Sequence, residues 1–484
     1  MRLDEYAAFD GLGLAELVRA GEVSAGELTE LACAAAEAVN PTLNGILEIY
    51  DDAAQVAEAA GRRGDAAPFL GVPTLRKDIG AREAGRLQEN GCRLSAGLTA
   101  GGESHLMARL RAAGLALLGR TSTSELGMSG TVETAIAGDT RNPWDPTRIA
   151  GGSSGGAAAC VAAGVVPLAH ASDGAGSIRI PAALCGTVGL KPTRGRVTAG
   201  PAAGAIMYGL TTELVVSRSV RDTAAALDAV AAPAAGDPYV IVQPDGPWLG
   251  RLSAPPEPLR IGWTAEPWWP GAATEPEVRQ AVENVAALLE RLGHRVEAAP
   301  MADLAPERLL EAFWAVWALG QTSFADALAQ RTGRPLNAST LEPVTLQVVE
   351  AGRRVSGLDV EHAMDVFNRT TRRAARFLEP YDVYLTPTMP KAPEPLGVYG
   401  SNLDIPMALW QERFLAYFCF TPLWNITGQP ALSLPLAESA AGLPLGLQFV
   451  GRFGDEATLL RLGAQLEEAQ PWAGRRPPIH AAAG

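Results

Sequence analysis

The sequence predicts an α/β fold organised around one sheet. Three observations predict it. From residue 71 onward, short β-like runs alternate with helical stretches. Runs of the same kind return after residue 380, so both ends of the chain feed the sheet. Apolar residues make up 47% and charged residues 19%, which supplies a large core and argues against disorder.

Residues 11–64 read as helices. Leu12, Leu14, Leu17 and Val18 form one apolar stripe. Ser24 opens a Ser-Ala-Gly-Glu capping-box pattern ahead of Leu28, Leu31 and Ala35. The core then runs as a strand at 72–79, a helix at 105–113, a strand at 115–118, a helix at 155–163 and a strand at 165–169. A second texture spans 223–380. It has a Pro- and Gly-rich entrance at 231–258, a strand at 259–263 and polar helices at 275–292 and 358–378. This stretch reads as an extension or cap on the core. Strands at 383–386 and 431–435 and a helix at 455–468 close the chain. The division is therefore a helical segment 1–64, a core 65–222, a cap 223–380 and a return 381–484. All belong to one domain, although 484 residues alone would predict roughly three.

Lys and Arg total 40 and Asp and Glu 53, so the net charge is 40 − 53 = −13. That excludes a basic nucleic-acid footprint. The five cysteines form no CxxC pair and are odd in number, which predicts reduced thiols and neither disulfides nor zinc. The acidic start is unlike a signal peptide. The longest near-apolar stretch, 157–171, is shorter than the roughly 18 residues of a membrane span. A cytoplasmic protein without membrane anchor is expected, as a monomer or homodimer.

Three elements carry chemistry. Gly151-Gly152-Ser153-Ser154-Gly155-Gly156 is a small-residue loop leading into an Ala-rich helix. Taken alone it fits a phosphate loop or a loose GxSxG pattern. Asp173-Gly-Ala-Gly-Ser177-Ile-Arg179-Ile-Pro181 places a serine between a strand and a short helix at 181–185. Three small residues ahead of Ser177 let backbone N–H groups turn toward an oxygen gaining charge. The third is Lys77. Period-two alternation puts it with Leu75 and Ile79 on one face and Arg76 with Asp78 on the other. A lysine at a strand end usually snorkels to water. If buried, it loses basicity, because desolvation disfavours the ammonium. Lowering its pKa from about 10.4 to about 7 costs about 4.6 kcal/mol. No histidine sits in a convincing catalytic loop, and His170 reads as a satisfied core residue.

Together these elements make the chain resemble the amidase signature family. The resemblance runs from the strand 71–78 through Gly119-Arg-Thr121, Glu125, Asn142-Pro-Trp144, the 151–156 loop and 173–181. It continues through Cys185-Gly186, Gly189-Leu-Lys-Pro-Thr193, Asn425-Ile-Thr-Gly-Gln-Pro430 and Gly442-Leu-Pro-Leu-Gly446. It implies a mixed sheet covered by helices on both faces, with no cofactor and no metal. By the same resemblance, Ser177 is the acyl-forming nucleophile, Ser153 the bridging serine after a cis peptide, and Lys77 the base. The N–H groups of Gly174, Ala175, Gly176 and Ser177 would form the oxyanion hole. Ser154, Asp173 and Arg179 would support the loop.

The departures concern detail. Ala175 stands where glycine is common, which is harmless unless that residue needs a positive φ. Arg120-Thr-Ser-Thr-Ser replaces a usual Lys-Thr-Asn and is expected to alter the pocket rim. Ala175, the run 170–173 and the tail around Pro471-Trp472 resemble the aminohexanoate cyclic-dimer hydrolase subgroup, which cuts nylon-type oligoamides. The implied substrate pocket draws on Gly127, Met128 and Ser129, and on Trp314 and Trp317 from the cap. A tryptophan-lined pocket suits a small, apolar amide. Esters or carbamates (urethanes) pass through the same acyl enzyme. The alternative is the glutamine amidase subunit of a tRNA-dependent amidotransferase. A non-enzymatic binding protein is disfavoured by the intact Lys77, Ser153 and Ser177.

Overall fold

The computed structural model describes every residue except 65, 240, 270, 302–303 and 483–484. Thirteen strands lie among the described residues. They are β1 (Ile46–Ile49), β2 (Pro73–Lys77), β3 (Ala116–Thr121), β4 (Glu133–Thr134), β5 (Gly138–Asp139), β6 (Leu168–Asp173) and β7 (Val188–Lys191). Then follow β8 (Thr212–Ser217), β9 (Arg260–Trp263), β10 (Arg295–Ala298), β11 (Val383–Pro387), β12 (Ala431–Glu438) and β13 (Pro444–Gly451). Strands β4 and β5 form a small separate hairpin. The other eleven make one sheet in the order β1-β3-β2-β6-β8-β7-β12-β13-β11-β9-β10.

The sheet is mixed. Strand β2 is parallel to β3 and β6, whereas β6, β8, β7, β12, β13 and β11 run successively antiparallel. Alternation shows that both faces are covered. On β11, Val383 and Leu385 enter one apolar cluster and Tyr384 enters the other. A strand buried on both faces loses the polar alternation of a half-exposed one. No helix among the described residues is long and apolar enough to cross a membrane. All five cysteines are free thiols.

Several expected elements are shifted. The Ser24 cap is formed, with the Glu27 N–H donating to Ser24 Oγ at 3.1 Å, and it opens helix Ala25–Leu43. The stretch 11–64 is not purely helical, however. Strand β1 lies within it and pairs antiparallel with β3. The strand expected at 165–169 is Leu168–Asp173, so it runs directly into the serine turn. Its polar residues are buried, and neighbouring segments supply partners for His170 Nδ1, Ser172 Oγ and the Asp173 carboxylate. The stretch 223–380 contributes β9 and β10 to the far edge of the sheet as well as covering helices, the longest being Pro306–Thr332.

Candidate active site

Strands β2 and β6 are adjacent and parallel, so their C-terminal ends lie together. Lys77 is the last residue of β2 and is fully buried. Its backbone N–H donates to His170 Nδ1 at 3.2 Å. Its Nζ lies 2.7 Å from Ser153 Oγ and 2.9 Å from Ser172 Oγ. Burial brings its pKa down to about 7, against the opposing pull of the Glu213 and Asp173 carboxylates. An amine poised there is a proton acceptor at neutral pH.

Ser153 follows a cis peptide from Gly152, and Gly151 has φ +80°. An added Cβ at Gly152 would fall 2.7 Å from the Thr131 nitrogen, so the loop lies flat against its neighbour. Ser154 ties the loop to β6. Its hydroxyl donates to the Ser172 carbonyl at 3.2 Å and accepts the Ser172 N–H at 3.4 Å.

Strand β6 ends at Asp173, and helix Arg179–Cys185 begins six residues later. The Asp173 carboxylate orders the turn between them. It accepts the N–H groups of Gly176 at 2.7 Å and Ile178 at 3.2 Å. Arg179 clamps it through Nε and Nη2, both at 2.9 Å. Burial alone would raise this carboxyl's pKa. The Arg179 charge, with hydrogen bonds from Arg179 and Asn425, holds it instead at about 2. Arg179 in turn donates to the Thr421 carbonyl, Gln448 Oε1 and Asn425 Oδ1. Gly176 has φ +130°, and an added Cβ would sit 2.2 Å from Thr421 Oγ1. That position requires glycine. Ala175 does not need a positive φ, so its methyl group costs the turn nothing.

Sequence reasoning missed Ser172 as the second partner of Lys77. It also missed Thr421, Asn425 and Gln448 as braces of Arg179. Asn425 was visible within the Asn-Ile-Thr-Gly-Gln-Pro run, but nothing local says that it reaches the serine turn.

Comparison with known proteins bears directly on this geometry. A family model described as Amidase matches residues 27–460. The 6-aminohexanoate-cyclic-dimer hydrolase of Paenarthrobacter ureafaciens is 36% identical, across 97% of this chain and 96% of that protein. This chain belongs to the amidase signature family. It is accordingly a hydrolase of carbon–nitrogen bonds. An acylamidase of Rhodococcus erythropolis is 33% identical over 96% of both chains. A solved structure of a 6-aminohexanoate cyclic dimer hydrolase complexed with substrate superposes with a TM-score of 0.92 at 35% identity. It covers 98% of this chain and 99% of its own.

The amidase has a cavity of about 910 Å³ at this site. Ser153, Ser172, Gly174 and Ser177 line it, together with Gly127 and Trp317. Among the described residues no histidine lines it. His170 stays in the core, 1% exposed, as a packed histidine should.

Four expectations need correction. The Gly176 N–H is already bound by the Asp173 carboxylate, so it is not free for an oxyanion. Gly174, Ala175 and Ser177 remain as candidate donors. Met128 is buried in the apolar cluster, and Ser129 is buried with its hydroxyl on the Tyr399 carbonyl. Neither lines the cavity. Trp314 sits one turn beyond the cavity, edge-on to Phe313, Trp410 and Phe414 at 5.1–5.8 Å between centroids. It belongs to the aromatic core, whereas Trp317 lines the cavity with its ring close against Gly174. Finally, Arg120 is not at the rim. It pairs with Glu48, Asp78 and Glu89, bracing β1, β3 and the segment after β2.

Proposed function

We propose that this amidase cleaves small, largely apolar amides through an acyl enzyme on Ser177, with Ser153 relaying protons and Lys77 as base. Lys77 accepts the Ser153 proton as Ser153 accepts that of Ser177, and Ser177 Oγ attacks the amide carbon. The N–H groups of Gly174, Ala175 and Ser177 receive the oxyanion. The proton returns through Ser153 to the departing nitrogen, the C–N bond breaks and an amine leaves. Water then adds to the ester carbon, losing its proton along the same path. Ser177 regains its hydroxyl and the carboxylic acid departs.

The observation that carries this reading is the 2.7 Å contact between a fully buried Lys77 amine and Ser153 Oγ. Both this serine and Ser177 face one cavity. Asp173, Arg179 and Ser154 hold the surrounding loops and touch no substrate in this scheme. The likeness to 6-aminohexanoate-cyclic-dimer hydrolases supports oligoamides of nylon type as substrates. Trp317 and Gly127 bound the acyl or amine site. Esters and aryl carbamates fit the same chemistry, because each yields an acyl or carbamoyl serine.

A panel of anilides, short-chain amides, nylon-type oligoamides, esters and aryl carbamates tests the substrate class. Turnover of apolar amides or oligoamides by the purified chain is the expected result. Ammonia release from glutamine only in the presence of partner subunits would favour the amidotransferase reading and overturn this one.

A further inference from the structure

The base has a neighbour that the acyl-transfer scheme leaves without a task. Glu213 stands on β8 directly opposite Ser172 of β6 in the antiparallel register. It is 6% exposed and lines the same cavity as Ser153 and Ser177. Its Oε1 has no hydrogen-bond partner, and the His170 Nε2 atom, also unpartnered, lies 3.6 Å away. His170 Nδ1 accepts the Lys77 backbone N–H, so the proton of the neutral ring sits on Nε2 and points toward this carboxylate. Space for Glu213 is built in. An added Cβ at Gly80, three residues beyond Lys77, would fall 1.9 Å from Glu213 Oε1.

The charge around the lysine is otherwise balanced. Asp173 is taken by Arg179, with Lys191 also nearby. Asp78, the residue that follows β2, is taken by Arg120. From the loop before helix Gly155–Ala162 and from β6, the amine meets the uncharged hydroxyls of Ser153 and Ser172. The nearby carboxylate without a charged basic partner among the described residues is therefore Glu213, which has the neutral His170 ring 3.6 Å away. When Lys77 takes a serine's proton it becomes an ammonium on a fully buried side chain. A buried charge without a counter-charge is costly.

We propose that Glu213 is the counter-ion of the ammonium that forms on Lys77 during acyl transfer. It is a positioning residue that acts through the base and touches no reacting atom. The idea rests on Lys77 being the base. The Glu213 charge favours the protonated amine, so removing it lowers the pH at which Lys77 loses its proton.

The test is the pH dependence of kcat/KM for Glu213→Gln and Glu213→Asp, with Lys77→Ala as control. The rate of Ser177 labelling by a fluorophosphonate is followed on the same proteins. For Glu213→Gln the acid-limb midpoint should move to lower pH by about one unit, and the alkaline plateau should fall roughly tenfold. Glu213→Asp, which keeps the charge one methylene further back, should shift less in the same direction. Labelling should report the same midpoints. If Glu213→Gln does not fold, Glu213→Asp decides: a downward shift supports the proposal and an unmoved midpoint overturns it. Unmoved midpoint and plateau in Glu213→Gln overturn the counter-ion role while leaving Lys77 as base. Wild-type turnover in Lys77→Ala would instead overturn the reading on which it rests.

Discussion

One wall of the cavity, carried by β2, β6 and residues 151–154, keeps its shape through hydrogen bonds. A second wall, carried by helix Pro306–Thr332, keeps its shape through packing. On the first wall Lys77, Ser154, Asp173 and Arg179 each have named polar partners between 2.7 and 3.4 Å. Helix Pro306–Thr332 instead fits small residues against bulky neighbours. An added Cβ at Gly320 would strike Met207 Sδ at 2.2 Å, and Gly352, at the end of the neighbouring helix Pro343–Gly352, is closed off by Thr322 in like manner. Reaction geometry needs fixed directions, which hydrogen bonds provide. Substrate fit needs shape, which apolar packing provides and which changes readily between relatives.

The comparison can be broken most directly at the nucleophile. Ser177→Ala should lower turnover by at least about 10⁴-fold and abolish fluorophosphonate labelling. Labelling that persists on another serine would move the reaction away from this wall.

The next effect is on stability. Arg179→Met leaves the Asp173 carboxylate buried without its partner, which should cost about 3–5 kcal/mol in urea denaturation. The sign of the pH dependence follows from Asp173. Its pKa in the folded protein is below the unfolded value, at about 2. Its contribution is present above about pH 4 and is lost as pH falls toward 2. A denaturation midpoint unchanged by Arg179→Met would show that the turn is held by something else.

The two tryptophans give the smallest and most diagnostic contrast. Trp317→Ala should change the ranking of substrates and raise KM. Trp314→Ala should cost about 3 kcal/mol of stability with the ranking unchanged. The reverse pattern would mean that the cavity wall has been assigned to the wrong face of the helix.

The same contrast explains what the sequence made legible. Gly151-Gly-Ser-Ser and Asp173-Gly-Ala-Gly-Ser177 have few uses other than a tight polar turn, and Lys77 is conspicuous in an apolar strand. Their types announce their chemistry. Trp314 and Trp317 are one helical turn apart and of one type, so only the tertiary neighbours separate a core residue from a cavity residue. Met128 and Ser129 follow cavity-lining Gly127 directly, yet the chain turns away there into the core. Strand β1 is four residues between two helices, too short for its period to register. The end of strand β6 is hard to read because Ser172 and Asp173 look like turn residues until Lys77, Ser154 and Arg179 are brought to them. Glu213 could not be read at all, since its neighbours come from β6, more than forty residues away in the chain.

The central claim is that a buried, neutral lysine drives acyl transfer, and the pH dependence of kcat/KM for a neutral amide tests it most directly. The rate should hold above neutrality and fall on the acid side with a midpoint near 7, as Lys77 gains a proton. A profile that stays flat down to about pH 5 would contradict the account.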